Sequence, residues 1–171
     1  MSTLVYRPPE VVYDFLLDFP RYADYSEYLS EVRRRGDGGE GSDFDIVLAW
    51  WKLSYVVKTR VVELDRPRRI HWRIREDIDA SGYWAVEPES ESARREGEPA
   101  TRVRLYAEFD PSSARTRALD LPRFISVSRV LERVKPILER EATKTCRRIV
   151  ADLEGEPRQV DLKIHVRPDV L

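Results

Sequence analysis

The sequence predicts an α+β fold in which an antiparallel, curved sheet of about six to seven strands grips one long C-terminal helix. Two patterns predict it. Apolar and polar residues alternate almost without interruption from Ser42 to Phe109, and one helical stripe follows between Pro122 and Glu154. A third observation sets the scale: 171 residues with 42% hydrophobic content suit a single core.

Taken in order, Ser2 to Tyr6 is a short strand that Pro8 and Pro9 stop. Pro9 and Glu10 suit a first helical turn, the proline by its fixed φ and the glutamate by its charge at the helix N-terminus. Val12, Phe15, Leu16 and Phe19 then share one helical face until Pro20 ends the helix. The tyrosine-rich stretch 21–29 is a short helix or turn. Glu31 to Arg35 leads into a glycine cluster at 36–41, which reads as a hairpin loop and not a phosphate cradle because a strand follows it.

Phe44, Ile46, Leu48 and Trp50 occupy one face of the next strand. A turn near Trp51 and Lys52, unmarked by Gly, Pro or Asn, reverses the chain into a strand whose inward face carries Tyr55, Val57, Thr59 and Val61; Glu63 shares their parity but lies at the strand end, where a solvated side chain is expected. The turn at 65–68 precedes Ile70, Trp72 and Ile74. Gly82, Trp84 and Val86 follow, then a polar loop at 87–100, then Val103, Leu105, Ala107 and Phe109. Between Pro122 and Glu154 the stripe Phe124, Val127, Leu131, Val134, Leu138, Ala142, Thr145, Ile149 and Leu153 is long enough to cross the sheet. Pro136 removes one hydrogen bond inside it, so a kink or break is expected there, and Gly155 caps the end. Residues 1–155 thus form the domain. Residues 156–171 are a C-terminal extension in which Val160, Leu162, Ile164 and Val166 alternate as an added edge strand that needs an edge in its own sheet or a partner's, the latter giving a homodimer.

A curved sheet and one helix leave space between them, so a cavity is expected. The segment Pro9, Val12, Tyr13, Phe15, Leu16, Asp18, Tyr22, Tyr25 resembles the opening of the START-like, or SRPBCC, superfamily, nearest its polyketide cyclase/dehydrase and coenzyme Q-binding-like groups. The resemblance spans residues 2 to about 154. It implies a helix-grip fold enclosing an apolar pocket for a lipid, quinone or polyketide, with transport as one use. The alternatives it leaves open are a polyketide cyclase/dehydratase enzyme and a protein- or RNA-interaction module.

The expected pocket residues are those on the sheet face toward the helix, Phe44, Ile46, Leu48, Trp50, Tyr55, Val57, Thr59, Trp72, Trp84 and Leu105, and from the helix Val127, Leu131, Val134 and Leu138. Tyr55 and Thr59 are the polar points that would orient a guest. For any one of these side chains plain core packing, with hydroxyls bonded to backbone, is the favoured reading, while some of the set should line a void. Trp50, Trp72 and Trp84 share a face, where they would stack on a flat guest or simply fill space. Entry to the pocket is expected near Pro136 and the 36–41 loop.

On the opposite sheet face, Lys58, Arg60, Arg73, Arg75, Arg102 and Arg104 stand among aromatics. That pattern suits single-stranded nucleic acid, but a solvated face with charges balanced by Asp43, Asp45 and Glu108 is the favoured reading, and no nucleic-acid partner is expected. The formal charge of −1, from 30 basic and 31 acidic residues, supplies no global attraction to nucleic acid or anionic membrane. No nucleophile elbow, P-loop or dinucleotide motif occurs, His71 and His165 point outward, and no catalytic residue, cofactor or metal is expected. The lone Cys146 cannot form an intrachain disulfide, and no apolar run approaches the ~18 residues of a membrane span, so a cytoplasmic setting without stable membrane insertion is expected.

Overall fold

A computed structural model describes residues 1–50, 53–90, 97–110, 113 and 127–163, with side chains described throughout except at 50, 53 and 127–138. The chain runs β1 (Ser2–Val5), α1 (Pro9–Leu17), a 3-10 turn (Phe19–Asp24), β2 (Leu29–Arg35), β3 (Asp43–Trp50), β4 (Leu53–Asp65), β5 (Arg69–Ile74), β6 (Asp79–Pro88), β7 (Thr101–Asp110) and α2 (Val127–Glu154). All seven strands join one antiparallel sheet in the order β1-β7-β6-β5-β4-β3-β2. Each hairpin from β2 to β7 pairs with its sequence neighbour, and β1 closes on β7 from the other side of the chain. Long-range pairing is confined to that last step.

Local chemistry explains the turns. Gly36, Gly38 and Gly41 have φ of 115°, 98° and 81°, a left-handed conformation that glycine adopts without a Cβ penalty, and they reverse β2 into β3. Asp37 fixes that loop by accepting hydrogen bonds from the Gly39 amide at 2.8 Å and the Ser42 hydroxyl at 3.1 Å. Gly82 is needed for another reason. A Cβ there would stand 2.2 Å from the Tyr106 carbonyl oxygen and 2.6 Å from Trp72 Cζ2, so the missing side chain is what admits the Trp72 indole.

The core gathers where α1 and the 3-10 turn cover one end of the sheet. Val12, Tyr13, Phe15, Leu16 and Phe19 are buried there with Phe44, Val61, Ile70 and Val86. Phe19 meets Phe44 edge-on at 4.7 Å between ring centres, and Phe15 meets Tyr25 at 5.5 Å, the offset geometry that ring quadrupoles favour.

Glu63 is exposed, as expected of its place near the strand end, and the cause is a local irregularity. A bulge between Val61 and Glu63 adds one residue to β4, which reverses the side-chain alternation beyond it and leaves Glu63 exposed beside His71. Pro136 does not break the helix, because α2 is one helical segment from Val127 to Glu154. The turn expected at Trp51 and Lys52 and most of the 87–100 loop's centre lie outside the described residues.

The chain after α2 turns at Gly155, whose φ is 83° and whose amide bonds back to the Ala151 carbonyl at 2.9 Å. It then returns to β1, where Ser2 and Lys163 exchange backbone hydrogen bonds of 2.8 and 2.9 Å in antiparallel register. The edge that the last segment needs is therefore met within the same chain at this point. Ile164 and Val166 lie outside the described residues, as does His165.

Candidate functional site

A cavity of about 550 Å³ lies between the sheet and the C-terminal half of α2. Its walls come from widely separated parts of the chain. Met1, Thr3 and Val5 of the β1 region form one side, and Val12, Phe15 and Leu16 of α1 form another. Tyr28, Leu29 and Leu48 contribute from β2 and β3, and Trp84, Val103 and Leu105 from β6 and β7. The roof is α2, with Ala142, Cys146, Ile149 and Leu153 at steps of four, three and four along one helical face. Leu162 adds a contact from beyond the helix.

The wall is predominantly apolar, the lining expected of a site whose affinity comes from burial. Its polar groups are few. Glu139, Glu141 and Thr145 approach from α2, Ser26 and Tyr28 from the start of β2, and Tyr22 from the 3-10 turn. The Tyr22 hydroxyl donates to the Leu16 carbonyl, and burial pushes its pKa up, so it stays a neutral phenol. Among the described residues, two buried side-chain oxygens lack a hydrogen-bond partner, Thr3 Oγ1 and Glu141 Oε2, and both belong to cavity-lining residues. Burial raises the Cys146 thiol and lowers the Met1 amine, which donates to the Leu105 carbonyl at 2.8 Å. Among the described residues, no Lys or Arg side chain lines the cavity.

The far end of this region is held by a buried ion pair. The Glu154 side chain is 4% exposed and that of Arg158 15%, and Arg158 reaches the carboxylate through Nε at 2.6 Å and Nη2 at 2.8 Å. Glu154 also accepts from the Tyr6 amide at 2.8 Å, and Arg158 Nη2 donates to the Leu4 carbonyl at 2.7 Å. Arg158 further sits 4.8 Å from the Tyr6 ring centre. The pair joins the end of α2 to β1.

Of the residues singled out from sequence, Leu48, Trp84 and Leu105 line this cavity. Phe44 is instead in the solid core against Phe19, with Ile46 packed beside that core. Thr59 is buried opposite Phe44, and Val57 pairs with Ile46. Trp72 lies over Gly82. The Tyr55 hydroxyl donates to Asp77 Oδ2 at 3.1 Å, an engagement within the fold, and burial together with that carboxylate pushes its pKa up to about 12. Trp50, Val127, Leu131, Val134 and Leu138 have side chains outside the described set.

The lining residues absent from the sequence-based set had a signal. Ala142, Thr145, Ile149 and Leu153 belong to the same stripe as Leu138, and Val12, Phe15 and Leu16 to the α1 face. Periodicity marks both faces as buried. It does not mark which part of a buried face meets empty space, because that depends on the distance between α2 and the sheet.

On the outer sheet face, five of the six basic residues singled out from sequence meet a carboxylate. Arg60 holds Asp43 through two bonds of 2.8 Å, Arg75 reaches the same carboxylate at 3.1 Å, Lys58 meets Glu76 at 2.9 Å and Arg104 meets Glu87 at 3.0 Å. Arg102 bonds Glu89. Between them, Tyr83 stacks on Tyr106 at 5.2 Å, with Arg69 5.3 Å from the Tyr83 ring centre. No group of three or more metal-ligating side chains occurs among the described residues, and none of their helices is long and apolar enough to cross a membrane.

The sequence matches the family model described as polyketide cyclase / dehydrase and lipid transport over residues 1–154. No curated protein matches the chain significantly by sequence. Solved structures share its fold at low identity. An aromatase/cyclase, Zhui, from Streptomyces sp. R1128 has a TM-score of 0.63 at 17% identity, over 90% of this chain and 91% of that one. A START superfamily protein from Mycobacterium smegmatis has a TM-score of 0.57 at 14% identity, over 90% and 96%. The di-domain aromatase/cyclase StfQ of the steffimycin biosynthetic pathway has a TM-score of 0.62 at 14% identity, with 91% of this chain aligned. The present chain spans 49% of StfQ. These likenesses establish a START-like helix-grip fold.

Proposed function

Because this chain belongs to the polyketide cyclase / dehydrase and lipid transport family, we propose that it binds one hydrophobic small molecule, a lipid, quinone or polyketide, in the cavity beneath α2. The observation that carries this reading is the cavity of about 550 Å³, walled mainly by aliphatic and aromatic side chains from α1, the sheet and the roof helix. A space of that size and lining gains free energy when an apolar guest displaces its water. The carboxylates of Glu139 and Glu141 stand in the wall, and among the described residues no Lys or Arg side chain faces them there, which favours an uncharged guest over a fatty-acid-like anion.

The reading is tested by titrating the purified chain with N-phenyl-1-naphthylamine, whose emission rises in apolar surroundings. One-to-one saturation is expected, and Ala142→Trp, which fills the space under the roof, should remove it. Absence of saturable binding, or binding that Ala142→Trp leaves unchanged, contradicts the assignment.

A second reading, cyclisation or dehydration of a polyketide chain, is supported by the fold shared with solved aromatase/cyclases. In that case the cavity acts by folding a flexible chain, and Glu139 or Glu141 supplies proton transfer. Turnover of a poly-β-ketone thioester that survives Glu139→Gln and Glu141→Gln would remove these residues from that role.

A further inference from the structure

The family match ends at residue 154, yet the chain continues into the cavity wall. Residues 155–163 leave α2 at a left-handed Gly155, run back along β1 and meet it at the Ser2–Lys163 bridge. Both ends of this strap are fastened. At its start, Arg158 is held by the Glu154 carboxylate and the Leu4 carbonyl; at its far end, two backbone hydrogen bonds tie Lys163 to Ser2. Between them Val160 is 4% exposed and belongs to the core, while Leu162, two residues on, lines the cavity. The strap therefore has one residue that anchors it and another that meets the empty space.

From this arrangement we infer that the strap is a wall of the binding site added to the family's core, and that Leu162 contacts the guest and sets the size that the cavity accepts. The inference rests on the cavity-binding reading given above. Its physical basis is reach. β1 is four residues long and supplies Thr3 and Val5 to the wall, and Leu162 lines the same cavity as the α2 residues Cys146 and Ile149. A side chain so placed adds apolar contact to any guest that fills the space, and its volume subtracts directly from the room available.

The test compares three variants of the full chain by N-phenyl-1-naphthylamine titration and thermal unfolding. Leu162→Trp should weaken binding by about tenfold through loss of space, a change on the scale of one displaced apolar side chain. Leu162→Ala should shift the preference of the site toward larger guests, read as a higher ratio of affinity for 1,6-diphenylhexatriene over N-phenyl-1-naphthylamine. Val160→Ala should lower the melting temperature and leave the dissociation constant of the folded protein within about twofold, since Val160 anchors the strap without touching the guest. Wild-type binding with dissociation constants unchanged in both Leu162 variants overturns the role of the strap while leaving the cavity assignment intact. If the wild-type chain binds neither compound, the cavity assignment falls and the strap's role falls with it.

Discussion

Phe44 and Leu48 sit on one face of the same strand, four residues apart, yet Phe44 is 1% exposed and Leu48 37%. Near Phe44 the sheet is covered by Phe19, which the 3-10 turn presses against it, and by the aromatic cluster of Phe15, Tyr22 and Tyr25. Near Leu48 the cover is α2, held far enough away that a cavity remains. One sheet face is thus solid at one end and hollow at the other. The difference lies in what packs on the sheet, not in the sheet's own residues.

Substitution at the two ends should separate them most strongly. Phe44→Ala should cost about 4 kcal/mol, the range for truncating a fully buried aromatic, and Leu48→Ala about 1 kcal/mol or less, because Leu48 already borders open space. Denaturant melts of the two variants measure this, and equal losses would mean that the Leu48 end is as tightly packed as the other. Breaking the clasp between α2 and β1 comes next. Glu154→Ala leaves Arg158 15% exposed and without its carboxylate, so a loss of about 3 kcal/mol is expected by the same measurement. A loss near zero would show that the hollow end needs no fastening.

A chemical probe sharpens the contrast without altering the fold. Burial holds the Cys146 thiol above its ordinary pKa, so N-ethylmaleimide should label it more slowly than a free cysteine at neutral pH and faster as pH rises. A saturating apolar guest should slow labelling further, since Cys146 lines the cavity. Guest-independent labelling would place the guest elsewhere. The smallest effect belongs to the outer face. Arg60 holds the Asp43 carboxyl below its ordinary value, and a depressed folded pKa contributes stability that is present above the unfolded value of about 3.9 and is lost as pH falls through the folded one. Asp43→Asn should therefore lower stability slightly at neutral pH, by a difference that fades as pH falls through the folded pKa of Asp43, so that the two profiles meet on the acid side; a large loss at pH 7 would mean that the pair supports the core.

Much of the fold was legible because period-two alternation identifies which side chains face inward in β3 to β7. The α1 face was equally plain from the spacing of Val12, Phe15, Leu16 and Phe19. The bulge at Val62 is not legible, because alternation presumes an unbroken ladder and no glycine or proline announces the irregularity. Of the kink or break expected at Pro136, the break does not occur, since loss of one hydrogen bond need not end a helix. Within the site, Leu48, Trp84 and Leu105 were reachable from strand parity, whereas Cys146, Ile149 and Leu162 required knowing how far along α2 the hollow extends. Hydrophobic pattern reports burial. It is silent on whether a neighbour fills the volume.

Native mass spectrometry of the gently purified full chain tests the hollow end most directly. The account expects a population heavier than the 20.1 kDa polypeptide by one small apolar molecule, or, from stripped protein, one-to-one uptake of an added one that Ala142→Trp abolishes. A chain that appears only at the bare polypeptide mass and takes up no apolar compound stoichiometrically would contradict it.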